Sequence, residues 1–396
     1  MKNLLCILLF FTFAAKAQQS YSITGTVSDE KGTTLPGAVV YITNSKYIQG
    51  TDNEGKYSFG NLRSGSYEVV VKMLGSVPDI QKVTIDNESV ALTNTLKESV
   101  TSLKAVTING NGPNPNREKY LEQFMKNFLG ETVNAQQCKL LNPEVLSFHF
   151  SKADNTLTAD ADDFLVVENN ALGYKIKYLL TKFDFEPDHG VVYINGSPYF
   201  EELKGTDIQQ KKWNEKRRIA YLSSQRHFFS AVMNNTVKED DFLVYKIIDE
   251  PAWLNLNSRD KQEAFGFYEQ QGDKRIKLYF SNIPDIDSLF APDRENFRTI
   301  ISTDRLGLFI VYTGQDESPL FSRTGNPISL PAKLSSQLSK HRQVSKLVPL
   351  SDAITIDRNF GWPQKGFNVY GYWSWLRIAD LTPLDYFGEP LPDKKQ

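Results

Sequence analysis

The chain has 396 residues, with 45 Lys and Arg against 47 Asp and Glu, and a formal net charge of −2. So balanced a charge gives no electrostatic footprint for nucleic acid, and the length implies two or three domains. Beyond the first 20 residues no apolar run approaches the ~20 residues that a membrane-spanning helix needs.

The amino end reads as an export signal. Lys2 precedes the apolar run Leu4–Phe13, and Ala15 and Ala17 form the small-x-small pattern that signal peptidase cuts after. The mature chain is then expected to begin at Gln18. Losing Lys2 and Lys16 moves its net charge to −4. Cys6 lies inside the apolar run and away from the cleavage point, so no lipid anchor is expected. The mature chain keeps Cys138 alone, which excludes an intramolecular disulfide. Beside Leu140 and Leu141, that thiol reads as a small buried hydrophobe rather than a nucleophile.

From Ser20 to about Ile108 the chain alternates in period two between turns. YSITGTVSD, LPGAVVYI, TDNEGKYSF, SGSYEVVVKMLG, KVTID and VALTNTL each read as strands, with Gly at their ends. In the second, Val39 and Tyr41 share a face; in the fourth, Tyr67, Val69 and Val71 do. Short strands with turn signals every eight to twelve residues predict a small β-sandwich. Residues 109–116 are rich in Asn, Gly and Pro and read as a linker.

The remainder, 117–396, reads as α+β, dominated by antiparallel sheet. It opens with a helix over REKYLEQFMKNFLG, Asn116 serving as N-cap and Gly130 as C-cap. EVLSFHF, DFLVVENN, GYKIKYLLTKFDF and GVVYINGSPYFEEL follow as strands. A polar helix spans about Thr206 to Asn234 and breaks near Ser223–Ser224. Strands return from FLVYKII to Ile356, and YWSWLRIADLTPLDYF closes the chain as a short helix with an aromatic collar.

Two resemblances follow from these residues. The run from Gly25 to Val40, G-x-V-x-D-x-x-G-x-x-L-P-G-A-x-V, with Gly50–Phe59 and Leu62–Tyr67, resembles the carboxypeptidase-regulatory-like domain. That resemblance implies a transthyretin-like sandwich of the kind found at the front of exported Bacteroidota proteins, including TonB-dependent receptors. LKAVTING, Leu103–Gly110, resembles the strand that ends the domain in such receptors. The segments CKLLNPEVLSF, ENNALGYKIKYLL and GYWSWLRIADLTPLDY resemble a group of exported Bacteroidota proteins known only as carboxypeptidase-like regulatory domain-containing. It implies no catalytic residues.

The activities linked to the sandwich are testable on the sequence. None of His149, His189, His227 and His341 is followed by Glu three residues later, and no H-E-x-x-H occurs, so the metallopeptidase zinc site is absent. The region after Ile108 is too short for a receptor barrel. No G-x-S-x-G elbow, phosphate loop or C-x-x-C is present. No catalytic residue and no cofactor are therefore assigned.

Three clusters stand out. Asp184, Glu186, Asp188 and His189 could ring a cation from one strand face, but Pro187 and Gly190 mark a turn where solvated acids are ordinary; Asp160, Asp162 and Asp163 read likewise as a strand end. Lys211, Lys212, Arg217 and Arg218 form a basic stretch that could meet an acidic partner, or simply be a solvated face over Trp213 and Tyr221. Trp362, Tyr370, Tyr372, Trp373 and Trp375 could stack on sugar rings, with Trp373 and Trp375 taken as the interaction candidates; the alternative is a core plug, with Arg377 and Asp380 paired on a helical face.

These readings lead to an expected non-catalytic envelope protein, periplasmic or outer-membrane-associated, that binds a partner protein or ligand through its C-terminal region, with the sandwich as docking module. The alternatives are a glycan- or peptide-processing enzyme with a scattered site, and a sugar-binding accessory of a TonB-linked uptake system. The partner classes are an envelope or outer-membrane protein, or a glycan, and not nucleic acid.

Overall fold

The computed structural model describes residues 20–99, 115–188, 190–271, 274–282, 286–301, 306–328, 330, 332–338, 342–359 and 366–386. The expected leader, the strand Leu103–Gly110, most of the linker at 109–116, His189 and Trp362 lie outside them.

Eight strands build the amino-terminal unit: β1 (Tyr21–Asp29), β2 (Val39–Ile42), β3 (Ile48–Gly50), β4 (Lys56–Leu62), β5 (Gly65–Lys72), β6 (Ser76–Val77), β7 (Asp79–Ile85) and β8 (Val90–Glu98). They form two sheets, ordered β4-β1-β8-β6 and β3-β2-β5-β7. The alternation in β4 shows why: Tyr57 and Phe59 point inward while Lys56, Ser58 and Gly60 face out. Ile23, Val27, Val40, Ile42, Phe59, Val69 and Val71 meet in one core between the sheets.

One sheet departs from simple alternation. In β2 and β5, Tyr41 and Val70 are opposite each other and point away from the sandwich core, yet both are fully buried. They pack with Leu179 and Tyr199 of the larger unit. A strand that is apolar on both faces is the mark of a sheet covered on both faces.

The cover is a third sheet. It comprises β9 (Cys138–Leu140), β10 (Leu146–Ser151), β11 (Thr156–Ala161), β12 (Leu165–Asn169), β13 (Tyr174–Glu186) and β14 (Val191–Glu202). The long β13 pairs with β14 along one flank, while β12 and β11 share the other. Helix α1 (Arg117–Leu129) lays Phe124 and Phe128 on this sheet, against Phe183 and Tyr178.

The polar helix breaks where its serines suggest. Helix α2 (Asp207–Leu222) starts in a capping box of Thr206 and Gln209. Ser224 then turns extended and caps α3 (Gln225–Asn234) by accepting from the His227 N–H. Trp213 of α2 donates its indole N–H to the Asn170 carbonyl at 2.9 Å and lies against Gly173. Gly173 has φ +70°, and a Cβ there would overlap the indole.

Two further sheets follow. One is β16-β17-β15-β20-β21-β23, from β15 (Phe242–Asp249), β16 (Phe265–Gln271), β17 (Lys274–Asn282), β20 (Leu308–Asp316), β21 (Arg342–Pro349) and β23 (Phe367–Gly371). The other is β18 (Phe290–Arg294), β19 (Phe297–Ile301) and β22 (Ala353–Asp357). Both are antiparallel throughout, and α3 packs Phe228 and Phe229 into the core they share. The fold is thus mostly β, with an α+β body.

The closing segment corrects the sequence reading. Its α-helix is one turn, Tyr372–Trp375, followed by a 3-10 turn at Ile378–Asp380. No helical face joins Trp373, Arg377 and Asp380, and the Asp380 carboxyl is bonded by Thr132 and Asn134 instead. The remaining residues, to Tyr386, run as a strap between α3 and the sandwich.

The sandwich is fastened by more than apolar contact. Tyr41 donates its hydroxyl to the Ser197 carbonyl at 3.0 Å, with its ring 4.7 Å from that of Tyr199. Lys72 pairs with Asp163 at 3.1 Å and lies over Phe164. The Ser66 N–H donates to Asp357 at 2.9 Å. Truncating Tyr41 to Ala should cost about 3–5 kcal/mol, the range for losing a buried aromatic. In urea unfolding followed by tryptophan fluorescence and by circular dichroism, the two curves should then separate. A variant as stable as the wild type would show that this wedge does not hold the units together.

Candidate functional site

Asn44, Ser45 and Lys46 follow β2 and carry the sandwich onto the body. Asn44 has φ 60°, a left-handed conformation that Asn tolerates better than most residues. Its N–H donates to the Pro198 carbonyl at 2.5 Å, and the Ser45 carbonyl accepts from the Phe200 N–H at 2.9 Å. These two residues thereby extend β14 at its edge, with Ser45 beside Tyr199 in parallel. The Asn44 carbonyl accepts from the Leu384 N–H at 2.6 Å, so the strap ties to the same residue.

The start of α3 comes from the other side. Gln225, Arg226 and His227 are all buried. Arg226 donates to the carbonyls of Thr382, Pro383 and Tyr386 and so holds the strap down; burial lowers its proton affinity. Lys46 closes the outer side, pairing with Glu202 at 2.8 Å and Asp385 at 3.3 Å.

Between these parts lies a cavity of ≈ 50 Å³ lined by Asn44, Gln225, Arg377, Asp380, Trp373 and Thr382, among others. Its polar groups are incompletely matched. Neither amide atom of Gln225 has a hydrogen-bond partner among the described residues, and neither does Asn44 Oδ1. Gln225 is 6 % exposed and Asn44 1 %. Arg377 packs its stem on Gly130, where φ is +95° and a Cβ would stand 3.0 Å from the Arg377 Cβ. No acceptor engages its guanidinium among the described residues, and burial lowers that group to about 10. Asp380, in contrast, is satisfied: Thr132 donates at 3.0 Å and Asn134 at 2.9 Å. Burial pushes its carboxyl up to about 6 against these two donors.

Buried polar groups without partners are uncommon and ask for a water, an ion or a ligand. Here they come from both units and belong to residues that line one cavity. The geometry can hold a small polar molecule. The lining sets polar residues, Asn44, Gln225 and Asp380 among them, against the apolar Trp373 and Leu376.

The residues singled out from the sequence fall elsewhere. Asp184 pairs with Lys182 at 2.7 Å, Glu186 ends β13, and Asp188 accepts from Asn155 at 2.7 Å. His189 lies outside the described residues, among which no three His, Cys, Asp or Glu groups come together as a metal set. Lys211 and Lys212 are exposed on α2, and Arg218 is half-buried. Arg217 is not a surface contact: it is buried, donates to the carbonyls of Leu172 and Gly173 at 2.7 and 3.0 Å, and stacks over Tyr174. Trp373 and Trp375 are likewise buried and are no sugar platform. Their indole N–H groups donate to the Ser223 carbonyl and to Thr324 Oγ1. Burial, with Asp380 nearby, raises Cys138 to about 12, which leaves it an unreactive thiol.

Sequence reasoning missed Asn44 and Gln225. The one usable signal was the apolar run in β2 and β5, which announces a second covering surface.

Residues 23–108 match the CarboxypepD_reg-like domain, which agrees with the sandwich seen at that position. None of the curated proteins matches the chain in sequence. Among solved structures, it is similar to 3-chlorocatechol 1,2-dioxygenase from Rhodococcus opacus 1CP. That match has 9% identity and a TM-score of 0.18, over 20% of this chain and 60% of that one. It is also similar to a candidate carbohydrate binding protein from Bacteroides uniformis ATCC 8492, at 12% identity and TM-score 0.17, over 40% and 57% of the two chains. A third is the pilus 2b backbone protein of group B streptococcus, at 18% identity and TM-score 0.18, over 20% and 42%. The chain thus spans less than two thirds of each of these proteins.

Two outcomes follow. Asp380 holds its proton more tightly folded, at about 6, than at its ordinary value of 3.8. The native state therefore binds the extra proton between those values, and stability should fall as pH rises from about 4 to about 6, by up to roughly 3 kcal/mol. Asp380→Asn, neutral throughout, should flatten that part of the profile of urea midpoints; an unchanged slope would place the titration elsewhere. Separately, Arg217→Ala should destabilise by roughly 2–4 kcal/mol, because it strands two buried carbonyls. The double change Lys211→Ala and Lys212→Ala should stay within about 0.5 kcal/mol. Equal effects in thermal melts would contradict the buried role of Arg217.

Proposed function

We propose that this protein is an exported, non-catalytic binding component of the cell envelope, on the periplasmic or outer-membrane side, whose ligand site lies where the sandwich meets the larger body. The observation that carries this reading is the Gln225 amide, buried without a partner in the lining of a cavity to which the other unit contributes Asn44, whose Oδ1 is buried without a partner as well. A site completed by both units gives the sandwich a role as a fixed wall rather than a loose tether. The carboxyl in the cavity supports binding over catalysis, since both Asp380 oxygens already accept hydrogen bonds from Thr132 and Asn134. The export signal at Met1–Ala17 and the Bacteroidota-type resemblance supply the compartment in this reading.

The test is fractionation of cells expressing the tagged chain, followed by native mass spectrometry of the purified protein. The expected result is a mature chain beginning at Gln18 in the envelope fraction. It should carry a bound mass that Gln225→Leu removes. An uncleaved chain in the cytoplasmic fraction, or no bound mass in any preparation, would overturn the proposal.

A further inference from the structure

Helix α2 presents one face to solvent, and that face differs in charge from the rest of the chain. Trp213, Arg217, Ala220 and Tyr221 hold the inner face in the core. The outer face carries Ile208 and Ile219, which stand three turns apart at ~3.6 residues per turn and so fall in one line along the helix. Ile208 is 69% exposed and Ile219 43%. Lys212 and Glu215 sit between them, Lys211, Lys216 and Arg218 flank the line, and Lys204 stands exposed just before the Thr206 cap. These five cations face only two acids, Asp207 and Glu215, in a chain whose net charge is −2.

The cations are also left without counter-charges. Elsewhere, exposed cations pair: Lys56 with Glu54, Lys126 with Glu131, Lys182 with Asp184, Arg259 with Glu263. Among the described residues none of the five here stands in an ion pair, and Lys216 meets a neutral group, Gln137 Oε1, at 3.2 Å.

We infer that the outer face of α2 docks the protein on a membrane surface of anionic lipid. The complementarity is of charge first: an unpaired positive face on an acidic chain orients that chain toward a negative surface. The residue types favour lipid over a protein partner. Four of the five cations are Lys, a point charge on a flexible stem, which suits mobile headgroups; fixed carboxylates are matched better by the planar fork of Arg. Ile208 and Ile219 have nothing polar to meet, and at the headgroup boundary they enter the apolar edge while the Lys stems reach up to the phosphates. The inference goes beyond the junction site and needs no ligand there.

The experiment is co-sedimentation with vesicles of phosphatidylglycerol and phosphatidylcholine, against phosphatidylcholine alone. It uses the chain from Gln18 onward, since the apolar run Leu4–Phe13 would itself bind lipid. The protein should sediment with the anionic vesicles and not with the neutral ones. Raising the salt from 0.1 to 1 M should release it, because the screening length falls from ~10 to ~3 Å. Lys211→Ala with Lys212→Ala should weaken binding roughly 25-fold, about fivefold for each cation. Ile208→Ser should weaken it a few-fold. Lys31→Ala with Lys97→Ala, at two exposed cations of the sandwich, should leave it unchanged. Thermal melts check that each variant folds.

Folded wild type that stays in solution with anionic vesicles overturns the inference. So does binding that the α2 variants leave intact, or that the sandwich variant weakens as much. Binding to soluble poly-glutamate as tight as to the vesicles would assign the face to an acidic protein and overturn the lipid surface.

Discussion

The arrangement turns on Asn44. Its N–H reaches Pro198 of β14, its carbonyl takes the Leu384 N–H of the strap, and its side chain, in the cavity lining, keeps a buried oxygen without a partner. One residue in a left-handed conformation thereby joins the sandwich, the central sheet and the chain's closing segment. The left-handed bend matters because it lets the two backbone groups of one residue serve two different segments. Most side chains would adopt it only at a cost of order 1 kcal/mol or more.

Around that point the contacts are graded. The wedge of Tyr41 and Val70 against Leu179 and Tyr199 supplies the apolar burial. The ion pairs at the rim, Lys46 with Glu202 and Lys72 with Asp163, are partly exposed and contribute less. They orient the sandwich more than they stabilise it. The strap, pinned by Arg226 on one side and Asn44 on the other, then closes the cavity in a way neither unit could alone. An accessory domain of this kind is often pictured as a movable tether; here its outer sheet face is a buried surface.

Most of the fold was legible in the sequence where local chemistry decides it. The period-two strands of the sandwich, the helix break at Ser223–Ser224 and the antiparallel body all follow from side-chain spacing and capping. The closing segment was misread because its aromatic spacing suits a helix. Arg377 and Asp380 instead leave the helical path after one turn, and Asp380 turns to Thr132 and Asn134. The basic stretch on α2 was only half right. Arg217 shares its helix with Lys211 and Lys212, but its position faces the Leu172–Gly173 turn, and no sequence pattern reveals that. The cavity was invisible for a similar reason: Asn44, Gln225 and Arg377 lie in segments that meet only in the finished fold. In isolation each is an ordinary polar residue.

The central claim is that the sandwich and the body form one docked piece through the Asn44–Ser45 link to β14. Amide hydrogen exchange of the intact chain tests it most directly, read at Asn44 and Phe200, whose N–H groups donate across the junction. If the account is right, both amides exchange as slowly as the sandwich core, represented by Val40 and Val71. Exchange at those two positions near the rate of an exposed loop, with the core still protected, would mean that the units come apart readily and that the junction is no site at all.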